Sequence, residues 1–89
     1  MDTMIFSYLL AVKEQGNISK AAEKMFISQS AVSQQLAKIQ KELGVKIFEK
    51  KEGILIPTSA GKIVLRTAEQ VLNVERDMED RIKKLMECQ

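Results

Sequence analysis

The sequence predicts a mainly α-helical domain that carries one small β-hairpin. Before residue 44, apolar residues recur at spacings of three and four, which is the period of helices with one buried face. Two short β-branched runs then flank residues 50–53, a pattern typical of a hairpin. After Gly61 no Gly or Pro interrupts the chain, so the last segment is expected to form one long helix.

The first helix is predicted from residue 3 to about residue 15, and Gly16 with Asn17 ends it. Its apolar stripe consists of Ile5, Phe6, Leu9, Leu10 and Val12. Ser19 is the expected N-cap of a second, short helix that runs to about Phe26. The inner face of this helix is built from the small residues Ala21 and Ala22 with Met25, and both Met25 and Phe26 are expected in or near the core.

A third helix is predicted from the N-cap Ser28 to about Leu43, and Gly44 ends it. Its inward positions are Val32, Leu36, Ile39 and Leu43. The outward positions are polar, small or basic: Gln29, Ser30, Ser33, Gln34, Ala37, Lys38 and Lys41. Two helices joined by a tight turn, the second displaying amide and hydroxyl groups at its start, form a helix-turn-helix arrangement.

The two β-branched runs predict a wing that packs on these helices. The runs are Val45, Ile47 and Phe48, then Ile54, Leu55 and Ile56, and Pro57 ends the second strand. Between them lies an expected basic tip of Lys50, Lys51, Glu52 and Gly53. Because an isolated hairpin of this size is unstable, the whole chain is predicted to be a winged helix-turn-helix of three helices plus wing.

Thr58 is the expected N-cap of the last helix, which divides the chain into a DNA-binding domain over 1–58 and a linker helix over 59–89. At about 1.5 Å per residue this helix is about 45 Å long, more than the preceding domain can cover. A heptad pattern, with one polar interruption at Glu75, predicts a dimerisation stripe. Its members are Val64, Ala68, Val71, Met78, Ile82 and Leu85.

Charge and composition restrict the function. Residues 20–66 carry a net charge of +5, whereas residues 1–19 and 67–89 carry −1 and −2, so the middle of the chain either faces an anionic partner or is a solvated basic surface. The sequence has no His and one Cys, Cys88, which predicts no metal site, no cofactor and no Cys/His nucleophile. No apolar run approaches the roughly 18 residues of a membrane span, and a cytoplasmic, membrane-free protein is expected.

Four spaced blocks resemble a known family. They are the Ala21-Ala22 pair, Ser28-Gln29 at the start of the third helix, Leu43-Gly44-Val45-Lys46-Ile47-Phe48-Glu49-Lys50, and Thr58-Ser59-Ala60-Gly61. In this order and spacing they closely resemble the N-terminal region of LysR-type transcriptional regulators. The resemblance implies a homodimer paired through the C-terminal helix that binds an imperfect inverted repeat in double-stranded DNA. A small-molecule-binding domain normally follows, so the chain is expected to be a fragment of a longer protein, and an effector is expected only if that domain exists.

The resemblance also assigns roles to residues. It implies base reading by Gln29, Ser30, Ser33 and Gln34, with Ser30 in place of a frequent Pro and Gln34 in place of a frequent Arg or Lys, which leaves the base preference open. Lys50 matches a strand-end Arg, and Gly53 lies where a wing Arg is common, so wing readout is either weaker here or carried by Lys50 and Lys51. Expected contacts with the DNA backbone or through the wing involve Ser28, Lys38, Lys41, Lys50, Lys51, Gly53 and Lys62.

Two other function classes are weighed against DNA binding. A winged helix used only for protein interaction predicts an acidic or apolar third helix, whereas Gln29, Gln34 and Lys38 are polar or basic. An enzyme requires paired carboxylates in a pocket, a His or a phosphate-binding Gly loop, and the sequence offers none of these. We therefore expect sequence-specific DNA binding and no catalysis.

Overall fold

The structure, a computed structural model, describes residues 3–88. In that range four helices and one antiparallel hairpin follow each other as α1 (Met4–Gln15), α2 (Ile18–Lys24), α3 (Gln29–Leu43), β1 (Phe48–Lys51), β2 (Ile54–Pro57) and α4 (Ser59–Glu87). This order confirms the predicted winged helix-turn-helix with a long last helix. No helix in the described range is long and apolar enough to cross a membrane.

The core lies where α1, α2, α3 and the first third of α4 meet. Its largest fully buried side chains are Leu9, Val12, Val32, Ile39 and Ile47. Ala21 and Ala22 are 0% and 2% exposed, and their small size lets α2 approach its neighbours closely. Within its own chain α4 buries only Gly61, Leu65 and Ala68, so the compact body includes its first turns. The division of the chain at residue 58 stays a prediction.

Asn17, and not Ser19, is the N-cap of α2. The backbone of Asn17 is extended, and its side-chain Oδ1 accepts a hydrogen bond from the Lys20 N–H at 2.9 Å. Gly16 alone ends α1, in a left-handed conformation with φ of 65°, and its N–H binds the Val12 carbonyl. Since Gly16 completes the stop, Asn17 is free to open the next helix, and the cap predicted at Ser19 is wrong.

Phe26 lies outside the core, contrary to prediction. Helix α2 ends at Lys24, and Phe26 turns the chain in the left-handed region with φ of 58°. Its side chain is 95% exposed, whereas Met25 is half-buried and packs against the core. The expectation failed because it extended the helical period two residues beyond the true end of α2.

The wing is a tight two-residue hairpin. Lys50 pairs with Leu55 and Lys51 pairs with Ile54, so both lysines belong to strand β1 and not to the tip. The tip is Glu52-Gly53, both with positive φ (50° and 79°), as two-residue hairpin turns require. Because successive strand residues point to opposite faces, Lys50 and Lys51 project from opposite sides of the wing.

Close backbone packing fixes the base of the wing to α4. A Cβ placed on Gly61 would lie 1.9 Å from the Ile47 carbonyl oxygen, so only glycine allows this approach. The Thr58 N–H donates to that oxygen at 2.9 Å, and Thr58 Oγ1 accepts from the Gly61 N–H at 2.9 Å. The Ile47 N–H donates to Gln40 Oε1 of α3 at 2.8 Å. The wing therefore has a defined position relative to α3.

Candidate nucleic-acid interface

Helix α3 separates an apolar side from a polar side. Val32, Leu36 and Ile39 are buried in the core. The exposed polar residues are Gln29, Ser30, Gln34, Lys38 and Lys41, and Ser33 is half-buried at the edge of this face. Three of the four predicted base-reading residues are thus accessible on the first two turns of α3.

Ser28 caps the N-terminus of α3, as predicted. Its backbone is extended, with φ of −74° and ψ of 151°, and its Oγ accepts from the Ala31 N–H at 3.1 Å. The Ser30 hydroxyl lies 3.3 Å from the same oxygen. Because the Ser28 hydroxyl satisfies one of the free N–H groups of the first turn, it fixes where α3 begins. The DNA-backbone contact of Ser28 stays a prediction.

A side-chain hydrogen bond joins the two helices of the helix-turn-helix. Ser19 Oγ, in the first turn of α2, donates to Gln29 Oε1 at 2.8 Å. This contact restrains the exposed amide of Gln29, which otherwise has several rotamers of similar energy. The sequence assigned Ser19 to a cap and so missed this role. The signal was available, because Asn17 is an equally good cap and leaves the Ser19 hydroxyl free.

An open groove of about 320 Å³ brings the helix-turn-helix and the wing together. Its lining residues are Gly16, Asn17, Ile18, Ser19, Gln29, Lys50, Gly53 and Leu55. The Leu55 N–H of β2 donates to the Gly16 carbonyl at 3.0 Å, which holds the wing against the end of α1. Of the predicted site residues, Gln29, Lys50 and Gly53 meet in this groove, whereas Lys38, Lys41, Lys51 and Lys62 do not line it.

The lysines of α3, the wing and the start of α4 are exposed and, within residues 3–88, have no acidic partner within salt-bridge distance. They are Lys38, Lys41, Lys50, Lys51 and Lys62. Two lysines elsewhere are paired: Lys24 lies 2.6 Å from Glu14 and Lys13 lies 3.4 Å from Glu69. The free positive charge is therefore concentrated on the elements that display the predicted DNA-contacting residues, where it would attract an anion.

The exposed apolar surface of α4 differs from the predicted heptad stripe. Ala68 is fully buried and Val64 packs against the core, so Ala68 is unavailable to a second copy. The large apolar residues of α4 that solvent reaches are Ile63, Val74, Met78, Ile82, Leu85 and Met86, each at least 50% exposed. Ile63 and Val74 are missing from the predicted stripe, because a heptad drifts around a straight helix of 3.6 residues per turn.

Comparisons with known proteins agree on one family. A family model for bacterial regulatory helix-turn-helix proteins of the lysR family matches residues 5–62. The HTH-type transcriptional regulator MetR of Haemophilus influenzae is 40% identical over 74 residues, covering 79% of this chain and 24% of that protein. ClcR of Pseudomonas putida, also an HTH-type transcriptional regulator, is 37% identical over 67 residues, covering 75% of this chain and 23% of that protein. The chain thus spans about a quarter of the length of these relatives.

Solved structures extend the likeness to the whole fold. A CbnR DNA-binding domain in complex with DNA superposes with a TM-score of 0.85 at 28% identity, covering 96% of this chain and 98% of that one. A BenM DNA-binding domain bound to catB site 1 DNA gives a TM-score of 0.89 at 27% identity, covering 96% and 94%. With the family match over residues 5–62, the chain belongs to the lysR family of bacterial regulatory helix-turn-helix proteins.

Proposed function

We propose that this chain is the DNA-reading domain of a dimeric bacterial transcription regulator and binds double-stranded DNA sequence-specifically. The observation that carries the proposal is the groove in which Gln29 of α3 meets Lys50 of the wing, beside lysines that have no acidic partner in the described range. The DNA complexes of the similar CbnR and BenM domains support it. It has no catalytic role, in keeping with relatives that are transcriptional regulators.

In this proposal α3 enters the major groove with its N-terminal turns and the wing follows the adjacent backbone. Gln29 reads a base edge, while Ser19 holds its carbonyl oxygen and directs its N–H groups outward. Outward donors suit the N7 and O6 acceptors of guanine or the O4 of thymine, besides the bidentate contact to adenine that a free amide makes. Lys50 binds a phosphate next to the base that Gln29 reads, and Lys38, Lys41 and Lys62 contact phosphates farther along.

Two copies pair through α4, whose second half exposes apolar side chains that have no partner in their own chain. The two α3 helices then reach half-sites of an imperfect inverted repeat that lie about one helical turn, or a multiple of it, apart. Bacterial DNA lies in the cytoplasm, so this function places the protein there. A small-molecule effector is part of the proposal only for a longer protein in which further chain follows α4.

The test separates reading of sequence from attraction to phosphate. A duplex selected from a random library by the chain itself is compared with a scrambled duplex at three salt concentrations. Gln29→Ala is expected to cost about 1–3 kcal/mol on the selected duplex and almost nothing on the scrambled one. Lys50→Ala is expected to weaken both duplexes alike and to reduce the salt slope by about one unit.

The matched control is Lys83→Ala, which removes the same charge from the exposed far end of α4 and should change neither affinity nor slope. Lys51→Ala tests the wing geometry, because Lys51 projects from the opposite side to Lys50 and should have the smaller effect. If Gln29→Ala weakens both duplexes equally, Gln29 does not read a base. If no duplex is enriched over random sequence, the proposed sequence-specific function is wrong.

A further inference from the structure

The exposed apolar surface of α4 follows an 11-residue repeat. We name as the α4 stripe the residues Ile63, Thr67, Val71, Val74, Met78, Ile82 and Leu85, which are spaced 4, 4, 3, 4, 4 and 3 residues apart. An 11-residue repeat stays on one side of a nearly straight helix, because it corresponds to about 3.67 residues per turn. At about 1.5 Å per residue the stripe is about 33 Å long. It is therefore a continuous surface and not a set of scattered apolar residues.

An apolar cavity of about 180 Å³ lies at the N-terminal end of this stripe. We name it the socket, and its lining residues are Phe6, Ile39, Leu43, Ile63, Val64 and Thr67. Ile63 and Thr67 belong to both the stripe and the socket, so the two surfaces are continuous. A dry cavity of about 150 Å³ is large enough to hold a benzene-sized group. The socket therefore has room for one large aliphatic side chain.

We propose that a second copy of this chain fills the socket, with the two α4 helices antiparallel and Leu85 of each copy seated in the socket of the other. The inference rests on the proposed dimer and specifies its geometry. In a two-fold contact, residue i meets residue j and residue j meets residue i. Antiparallel pairing about Val74 then matches apolar residues in every layer. The layers are Ile63 with Leu85, Thr67 with Ile82, Val71 with Met78, and Val74 with itself.

Two observations favour this orientation over a parallel pair. Parallel helices would place Ile63 against Ile63, and the far end of the partner's helix would never reach the socket. They would also set the acidic segment 75–80, with a net charge of −3, against its own copy. In the antiparallel register that segment faces residues 68–73, whose net charge is −1, and the remaining segments of α4 face charges equal to those in the parallel pair. The repulsion is therefore smaller in the antiparallel dimer.

Cysteine cross-linking tests the register. Starting from Cys88→Ser, four variants are oxidised mildly: Val74→Cys, Ile63→Cys, Leu85→Cys, and the double variant Ile63→Cys with Leu85→Cys. The three positions are 69%, 72% and 64% exposed, so the folded chain tolerates the changes. Covalent dimer is expected for Val74→Cys and for the double variant, and not for either single variant at 63 or 85. Within one chain the two cysteines are about 33 Å apart, so any disulfide in the double variant joins two copies.

The outcomes separate this inference from the dimer itself. Cross-linking of Ile63→Cys alone would show a parallel pair, and a dimer in which the double variant stays unlinked would show another register; both overturn the inference and leave the dimer in place. A parent chain that sediments as a monomer at high micromolar concentration would remove the proposed dimer as well. Leu85→Ser is expected to raise the dimer Kd about tenfold or more, whereas Lys83→Ser, exposed on the same part of α4 and outside the stripe, should leave it unchanged. Equal effects of these two changes would contradict the socket.

Discussion

Gly61→Ala is the sharpest test of how the wing is attached, because two effects predict opposite signs. In a helix, replacing Gly with Ala ordinarily stabilises by about 0.5–1 kcal/mol. Here the new Cβ would lie 1.9 Å from the Ile47 carbonyl oxygen, and ordinary contacts begin at 3.4 Å, so α4 and the wing base must separate by about 1.5 Å. That movement breaks the hydrogen bonds from the Thr58 N–H (2.9 Å) and hydroxyl (3.3 Å) to the same oxygen.

The cost follows from these contacts. Overpacking costs about 1–3 kcal/mol and each lost hydrogen bond about 0.5–1.5 kcal/mol, so Gly61→Ala should destabilise by about 2–6 kcal/mol. A domain of this size is stable by only about 4–13 kcal/mol. Urea unfolding followed by circular dichroism, at one fixed protein concentration because of dimerisation, measures the change. Gly44→Ala is the control, since its Cβ meets nothing within 4 Å and only its left-handed φ of 71° costs about 1–2 kcal/mol. A Gly61→Ala chain as stable as the parent would refute the account of the wing base.

Three further predictions concern the caps, the turn and the DNA contacts. Asn17→Ala should destabilise by about 1 kcal/mol in thermal unfolding through loss of the α2 cap, and Ser19→Ala should not; equal losses would return the cap to Ser19. Phe26→Asn should stabilise by up to about 1 kcal/mol, because Asn tolerates the left-handed conformation and a 95% exposed ring contributes little packing; a clear loss in urea unfolding would contradict this. DNA affinity should fall by roughly 10³–10⁵ between about 50 and 200 mM salt if about 6–10 phosphates are neutralised per dimer, and a flat salt dependence in titrations would exclude the lysine contacts.

Helix starts and stops were largely predictable because they depend on neighbouring residues. Ser28 and Thr58 accept backbone N–H groups three residues ahead, and Gly44 adopts the left-handed conformation that ends α3, all as expected. The failures occurred where two local signals competed. Asn17 was available both as the stop of α1 and as the cap of α2, and only the completed turn at Gly16 decides between them.

The candidate site divides in the same way. Periodicity placed Gln29, Gln34 and Lys38 on the polar side of α3, because the buried residues of the same helix define its other side. It could not pair Gln29 with Ser19, since that contact depends on the angle between two helices. It also put Lys50 and Lys51 together at a tip, whereas the register of the hairpin places them on opposite faces of one strand.

By itself, the sequence determined the order of the elements, the start of α3 and the polar character of its outer face, because each of these depends on spacing within one segment. Only the tertiary structure decided which side of α4 stays exposed: the body covers Leu65 and Ala68 and leaves Ile63 and Val74 to solvent. The physical reason is that a helical period gives positions relative to one another around a single axis. The rotation of that axis against the body is set by contacts between residues distant in sequence, here the approach of Gly61 to Ile47 and the packing of α4 on α1.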